Sequence, residues 1–208
     1  MQALKRISLE IRKGSLTVIV GPSGSGKSTF LKIAGLLEKP SQGSVVFKGN
    51  ETKNLSPDER AHLIKENVGF ILKKSNLLSY LTIMENVMLP MSNYDAQHAL
   101  NILENLGLKH PDKFPSALSS LEKQKVVLAR AIINQPAIIF GDEPTGSLNS
   151  TDTHEFLNLL LNFKDDYSMV IMTNDDLLAS YADEVYYLRD GFLEKNQNLV
   201  IKKNIKLD

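Results

Sequence analysis

Eight consecutive residues, Gly21-Pro22-Ser23-Gly24-Ser25-Gly26-Lys27-Ser28, restrict what this chain can fold into more than any other stretch. They fit the spacing G-x-x-x-x-G-K-[ST], and their setting is the one that spacing requires. An apolar, largely β-branched run, Leu16 to Val20, precedes them, and the apolar spacing of a short helix, Thr29 to Leu37, follows. In such a strand, loop and helix the glycines let successive backbone N–H groups turn inward on phosphate oxygens, while the helix N-terminus adds the positive end of its dipole. The candidate phosphate-binding residues are therefore Gly21, Pro22, Ser23, Gly24, Ser25, Gly26, Lys27, Ser28 and Thr29. Lys27 is placed to reach the β and γ phosphates, and Ser28 offers Mg²⁺ an oxygen.

A second element completes such a site. Ala137-Ile138-Ile139-Phe140 is an apolar strand that delivers Asp142 and Glu143 at its C-terminal end, where open α/β sheets place their ligands. Asp142 can hold Mg²⁺ through water, and Glu143 is placed to orient or deprotonate the water that attacks a γ phosphate.

The remaining pattern reads as strands interrupted by a helical block. Ile7, Leu9 and Ile11 alternate with polar residues, which predicts a half-buried strand, and Ser44 to Phe47 predicts an edge strand. Ser56-Pro57-Asp58-Glu59 and Thr82-Ile83-Met84-Glu85 read as capping boxes at helix starts. Val68 to Leu72 reads as a strand; from Lys73 to Gln135 the pattern turns helical, with helices over Asp95 to Leu106 and Leu121 to Asn134. Strands resume at Ala137 to Phe140, Ser168 to Met172 and Val185 to Leu188, with a helix from Thr151 to Phe163 among them, so the sheet is expected to be mostly parallel. The expected division is a nucleotide-binding core of residues 1–72 and 136–208, with an inserted helical subdomain of residues 73–135. The Lys/Asn-rich end from Asn196 reads as a tail.

Composition removes several classes of function. Lys plus Arg and Asp plus Glu are both 24, so no overall positive charge is available to wrap nucleic acid, and no nucleic-acid partner is expected. The absence of cysteine excludes disulfides and zinc-thiolate sites, so any metal is held by oxygen. Charges interrupt every apolar stretch of the opening MQALKRISLEIRKGS, which fits neither a signal peptide nor a transit peptide and leads us to expect a cytoplasmic protein. Apolar runs such as Ala137 to Phe140 are far shorter than the roughly 20 residues of a spanning helix, so a membrane role needs a partner that does the spanning.

Taken together, Gly21 to Thr29, Val68-Gly69-Phe70 with Asn76-Leu77-Leu78, Pro115 to Ala131, Gly141-Asp142-Glu143-Pro144-Thr145-Gly146 and Leu188-Arg189-Asp190-Gly191 resemble the ATPase subunits of ABC transporters along nearly the whole chain. The branch they most resemble is that of lipoprotein-release, macrolide-export and antimicrobial-peptide-export subunits. The resemblance implies an α/β P-loop NTPase core of the RecA-like kind, with a mostly parallel sheet, an N-terminal antiparallel β portion and an inserted α-helical subdomain. It implies ATP and Mg²⁺ as cofactors, a transmembrane permease as partner, and a peripheral position on the cytoplasmic face of the cell membrane. It also implies a head-to-tail dimer with a second cassette, identical or not, whose signature segment completes each ATP site.

Several positions depart from the family's pattern. Lys73 stands where the family has a glutamine that senses Mg²⁺ and the permease; it is either a cation competing with the metal or a solvated side chain. The signature Leu-Ser-Gly-Gly-Gln is here Leu118-Ser119-Ser120-Leu121-Glu122. Ser119 with Glu122 still reads as a capping box, but Leu121 adds bulk and Glu122 adds negative charge where a γ phosphate should dock; alternatively, Leu121 packs within the helical subdomain. Asn174 stands where the family has a γ-phosphate histidine. It can donate a hydrogen bond but cannot become cationic, and a helix cap is its other reading. Asn149 replaces the usual aspartate of the loop that crosses to the other subunit. The expected function is thus an ATPase subunit coupling ATP binding, and slow hydrolysis, to movement in a permease, with Glu143, Lys27 and Asn174 as the catalytic candidates. The alternative is an ATP-binding regulatory or scaffold subunit with little or no turnover.

Overall fold

Leu16–Val20 (β1) carries the glycine-rich loop from inside a six-stranded sheet, as a computed structural model describing residues 3–196 shows. Its sequence, apolar except for the buried Thr17, suits that place, because a strand covered on both faces has no solvent side to show. The loop feeds Lys27–Ala34 (α1). A short antiparallel hairpin, Val46–Phe47 (β2) with Asn50–Glu51 (β3), and Pro57–Asn67 (α2) then lead into Val68–Leu72 (β4). Three helices follow, Ile83–Met88 (α3), Ala96–Asn105 (α4) and Ser120–Ile132 (α5), before Ile138–Asp142 (β5). The described chain continues through Ser150–Asn162 (α6), Ser168–Thr173 (β6), Asp176–Ser180 (α7), Glu184–Arg189 (β7) and Phe192–Lys195 (β8).

The order across the sheet is β4-β5-β6-β1-β7-β8, parallel throughout except for the β7–β8 pair. Its register sets Asp142 beside Met172 and Val20 beside Thr173, which aligns the C-terminal ends of β5, β6 and β1. Side chains alternate between the two faces, as strand geometry requires. Met169 and Ile171 join a buried cluster with α3 to α7, while Val170 and Met172 join a second one with Phe30 and Leu31 of α1. Helix α5 lies close along β4, where a Cβ at Gly69 would run into the Ala131 carbonyl.

The sequence patterns convert to structure with small shifts. All three capping boxes form, at Ser56/Glu59, Thr82/Glu85 and Ser119/Glu122. The first helix begins at Lys27 rather than Thr29 and stops at Ala34 rather than Leu37, because Gly26 and Gly35 bound it. The strand expected at Ile7 to Ile11 pairs in no ladder among the described residues. Ile7, Leu9 and Ile11 are nonetheless half-buried against the second cluster while their neighbours are exposed. Period-two burial is met by an extended chain laid over a sheet face, with or without ladder partners. The antiparallel portion consists instead of the β2–β3 hairpin and the β7–β8 pair. The tail expected from Asn196 lies, from residue 197 on, outside the described residues.

Candidate functional site

Gly26 caps α1 in a left-handed conformation, φ 110°, and a Cβ there would meet the Ala3 carbonyl oxygen at 2.8 Å. Both facts require glycine at this position. Lys27 follows at the first helical position and is 8% exposed. Its ammonium donates to the Gly21 carbonyl, to the Pro22 carbonyl at 3.3 Å and to Asn174 Oδ1 at 3.4 Å, and it lies 3.6 Å from Glu143 Oε1. Ser28 Oγ donates to Asp142 Oδ2 at 2.9 Å. The structure therefore gathers Lys27, Ser28, Asp142, Glu143 and Asn174 at the C-terminal ends of β1, β5 and β6, with Gly21 to Thr29 wrapped around the same point.

Glu143 leaves β5 with φ 47°, a left-handed conformation that a non-glycine residue adopts at a cost. Its N–H donates to the Met172 carbonyl at 2.8 Å, and its own carbonyl accepts from the Gly146 N–H at 3.0 Å. Its Oε2 accepts from Thr173 Oγ1 at 3.4 Å, and that hydroxyl accepts from the Asp175 N–H at 3.0 Å. The carboxylate is thus oriented by a chain of bonds reaching back to the start of α7.

The oxygen set fits a hard divalent cation. Ser28 Oγ and the Asp142 carboxylate lie together beside the glycine-rich loop, and hydroxyl and carboxylate oxygens are the donor chemistry Mg²⁺ prefers when phosphate oxygens and water complete its shell. Among the described residues no group of three or more His, Cys, Asp or Glu offers a rival cage.

The remaining candidates fall in two places. Asn174 is exposed beside Lys27, and α7 is capped by Asp175, whose Oδ1 accepts from Leu177 N at 2.9 Å, so the capping role weighed for Asn174 belongs to its neighbour. Lys73 is exposed, and its stem passes so close to Gly146 that a Cβ there would lie 2.9 Å from Lys73 Cε. In the Leu118 to Glu122 segment, Leu118 and Leu121 are buried in the main core while Ser119 and Ser120 are exposed. The packing reading of Leu121 is the one its position supports. The Glu122 carboxylate turns back to accept the Ser119 N–H at 2.8 Å, and Ser119 Oγ accepts the Glu122 N–H at 3.1 Å. The Ser119 backbone N–H, the largest influence, holds the Glu122 carboxyl below its ordinary pKa. Asn149 caps α6, accepting Asp152 N at 2.9 Å.

Two residues of the site carried no motif. Thr173 orients Glu143, and Gln124 donates to the carbonyls of Leu72, at 3.1 Å, and Pro144, at 2.6 Å. A polar residue between Leu121 and Leu128 on an apolar stripe was the available signal for Gln124.

A doubly covered parallel sheet with this loop and these strand-end carboxylates defines a P-loop nucleoside-triphosphatase. Residues 4–146 match the family model described as ABC transporter, and the chain belongs to that family as an ATP-binding, ATP-hydrolysing subunit. It is 38% identical to the ABC transporter ATP-binding protein MJ0796 of Methanocaldococcus jannaschii, covering 95% of this chain and 89% of that protein. It is also 38% identical to the lipoprotein-releasing system ATP-binding protein LolD of Bacteroides thetaiotaomicron, covering 94% of both. To the macrolide export ATP-binding/permease protein MacB of Syntrophobacter fumaroxidans it is 36% identical, covering 95% of this chain but only 29% of that longer protein. A solved dimeric structure of MJ0796 in a post-hydrolysis state, bound to ADP and Pi, superposes with a TM-score of 0.84 at 35% identity, covering 93% of this chain and 90% of that one. These relatives place the chain in the lipoprotein-release and macrolide-export branch. No helix among the described residues is long and apolar enough to cross a membrane.

Proposed function

We propose that this ATPase subunit works from the cytoplasmic face of the cell membrane, bound to a transmembrane permease, and closes on ATP against a second cassette. In that reading Lys27 holds the β and γ phosphates, Ser28 and Asp142 hold Mg²⁺, and Glu143 orients the attacking water while Asn174 donates to the γ phosphate. Bound Mg²⁺ would neutralise phosphate charge; the positioning is done by the protein's own residues. The core of residues 1–72 and 136–208 and the helical residues 73–135 serve as the two bodies that adjust on closure.

The observation that carries the assignment is the Ser28–Asp142 contact at 2.9 Å with Glu143 beside Lys27 at 3.6 Å. It joins the loop after β1 to the end of β5, as a metal-triphosphate held between them requires. The test is pull-down of the tagged chain from its native membranes, followed by phosphate release with the captured complex. A permease that co-purifies and stimulates turnover supports the reading; capture of no membrane protein overturns it.

The second cassette is proposed to be a different chain with a glycine-rich signature. The self-bonded Glu122 and the buried Leu121 leave this chain a poor donor of that segment, while its own P-loop remains a full acceptor.

A further inference from the structure

Gln124 is 1% exposed, and both N–H groups of its amide are committed to backbone carbonyls of other segments. One carbonyl belongs to Leu72, the last residue of β4 and the neighbour of Lys73; the other belongs to Pro144, the neighbour of Glu143. Six residues further along α5, Arg130 donates to the carbonyls of Ser75 at 3.0 Å and Asn76 at 3.2 Å. Helix α5 therefore grips the Lys73 loop at both ends, and Gln124 joins that grip to the turn after Glu143. The Lys73 stem packed over Gly146 brings the two segments together a second time.

A left-handed backbone at a non-glycine residue persists only where its surroundings over-determine it. At Glu143 those surroundings are the Met172 carbonyl, the Gly146 N–H and, through Pro144, the Gln124 amide. We propose that Gln124 is a positioning residue for hydrolysis, tying the turn that aims Glu143, the group that orients water, to the Lys73 loop. This rests on the role assigned to Glu143. The tie is a pair of hydrogen bonds from one buried amide, and its removal takes a donor from both carbonyls at once, so it responds as a unit.

The test compares the full chain, in the complex captured with it from native membranes, as wild type, Gln124→Met, Gln124→Asn, Leu128→Ala and Glu143→Gln. Amide hydrogen exchange, ATP affinity and single-turnover phosphate release are followed. In Gln124→Met, of similar length but without donors, exchange at the Gly146 N–H and across residues 73–76 should rise about ten-fold or more, since local opening sets these rates. Turnover should fall at least about five-fold with ATP affinity within about two-fold, the pattern of an interaction that acts on chemistry and not on ground-state binding. Leu128→Ala loosens the same helix without touching either carbonyl, and should leave the Gly146 exchange near wild type. Unchanged Gly146 exchange in folded Gln124→Met overturns the proposal, as does raised exchange with wild-type turnover. Where Gln124→Met does not fold, Gln124→Asn carries the same criteria, because the shorter amide cannot span both carbonyls. Full turnover by Glu143→Gln would instead refute the role of Glu143, while exchange at Gly146 still reports separately on the tie.

Discussion

Ser28 and Asp142 are 114 residues apart, and the hydroxyl of one donates to the carboxylate of the other at 2.9 Å. The contact crosses β6, which lies between β5 and β1, so it depends on the register of three parallel strands. If both oxygens serve one Mg²⁺, Ser28→Ala and Asp142→Asn should each weaken Mg-dependent ATP binding about ten-fold, about 1.4 kcal/mol. The double variant should then lose less than the sum, because residues sharing a ligand couple. Calorimetric titration of the four proteins with and without Mg²⁺ decides it, and strict additivity would sink the shared site.

Lys27 makes its contacts from a nearly buried position, and a triphosphate would replace internal carbonyls with stronger acceptors. Lys27→Ala should cost roughly 1.5 to 3 kcal/mol of ATP binding, the range for hydrogen bonds to charged groups. Nucleotide affinity equal to wild type would remove the loop from the site.

Hydrolysis should depend on Glu143 far more than on Asn174. Glu143→Gln keeps the size and the Thr173 contact but removes the charge that polarises water, so turnover should vanish while ATP binding remains. Asn174→Ala removes one polar contact to Lys27 and should slow turnover by no more than about ten-fold. Phosphate release from the two variants would show the division of roles to be wrong if both were equally inactive.

Much of this site is legible in the sequence because its parts are local. The loop from Gly21 to Ser28, the strand before Asp142 and the three capping boxes each lie within a few residues, and each forms as its chemistry dictates. The illegible parts are non-local. Thr173 and Gln124 act on groups from other strands, which no spacing records. Ile7 to Ile11 has the right burial period, yet ladder pairing depends on a partner that periodicity does not specify. Asn174 and Asp175 are both good caps by type, and only the backbone geometry gives α7 to Asp175.

The capping box at α5 predicts a pH dependence. The Glu122 carboxyl is held below its ordinary value, first by the Ser119 N–H, so its ionised form stabilises the folded state above the unfolded pKa of about 4.3. That contribution is lost as pH falls through the folded pKa. Glu122→Gln retains an acceptor without the charge and should lack this dependence. Urea midpoints measured from about pH 6 to pH 3 should show the gap between wild type and Glu122→Gln narrowing on acidification. Parallel curves across that window would show that the carboxylate contributes nothing.

The signature segment can be repaired only in part, and burial decides which part. Leu121 is 8% exposed within the main core, so Leu121→Gly opens a cavity and loosens a helix. The expected loss is at least about 2 to 5 kcal/mol from the cavity alone, with about 1 kcal/mol more from glycine in a helix. Combining Ser120→Gly, Leu121→Gly and Glu122→Gln should therefore unfold the chain or lower its melting point rather than gain function. Ser120 is exposed, and the Glu122 side chain hydrogen-bonds its own helix start and reaches no core residue among those described, so Ser120→Gly with Glu122→Gln leaves the core intact. Removing that carboxylate relieves a repulsion with an approaching triphosphate of about 4 kcal/mol per charge at 4 Å and an effective dielectric near 20. Wild type should remain monomeric with ATP, and the double variant should form a measurable ATP-dependent dimer, more so when Glu143→Gln prevents turnover. Light scattering with and without Mg-ATP reads the dimer fraction, and thermal melts of each variant separate loss of fold from loss of contact. Efficient ATP-driven dimerisation of the unmodified chain would show that neither Leu121 nor Glu122 obstructs closure, and the case for a different partner cassette would fall with it.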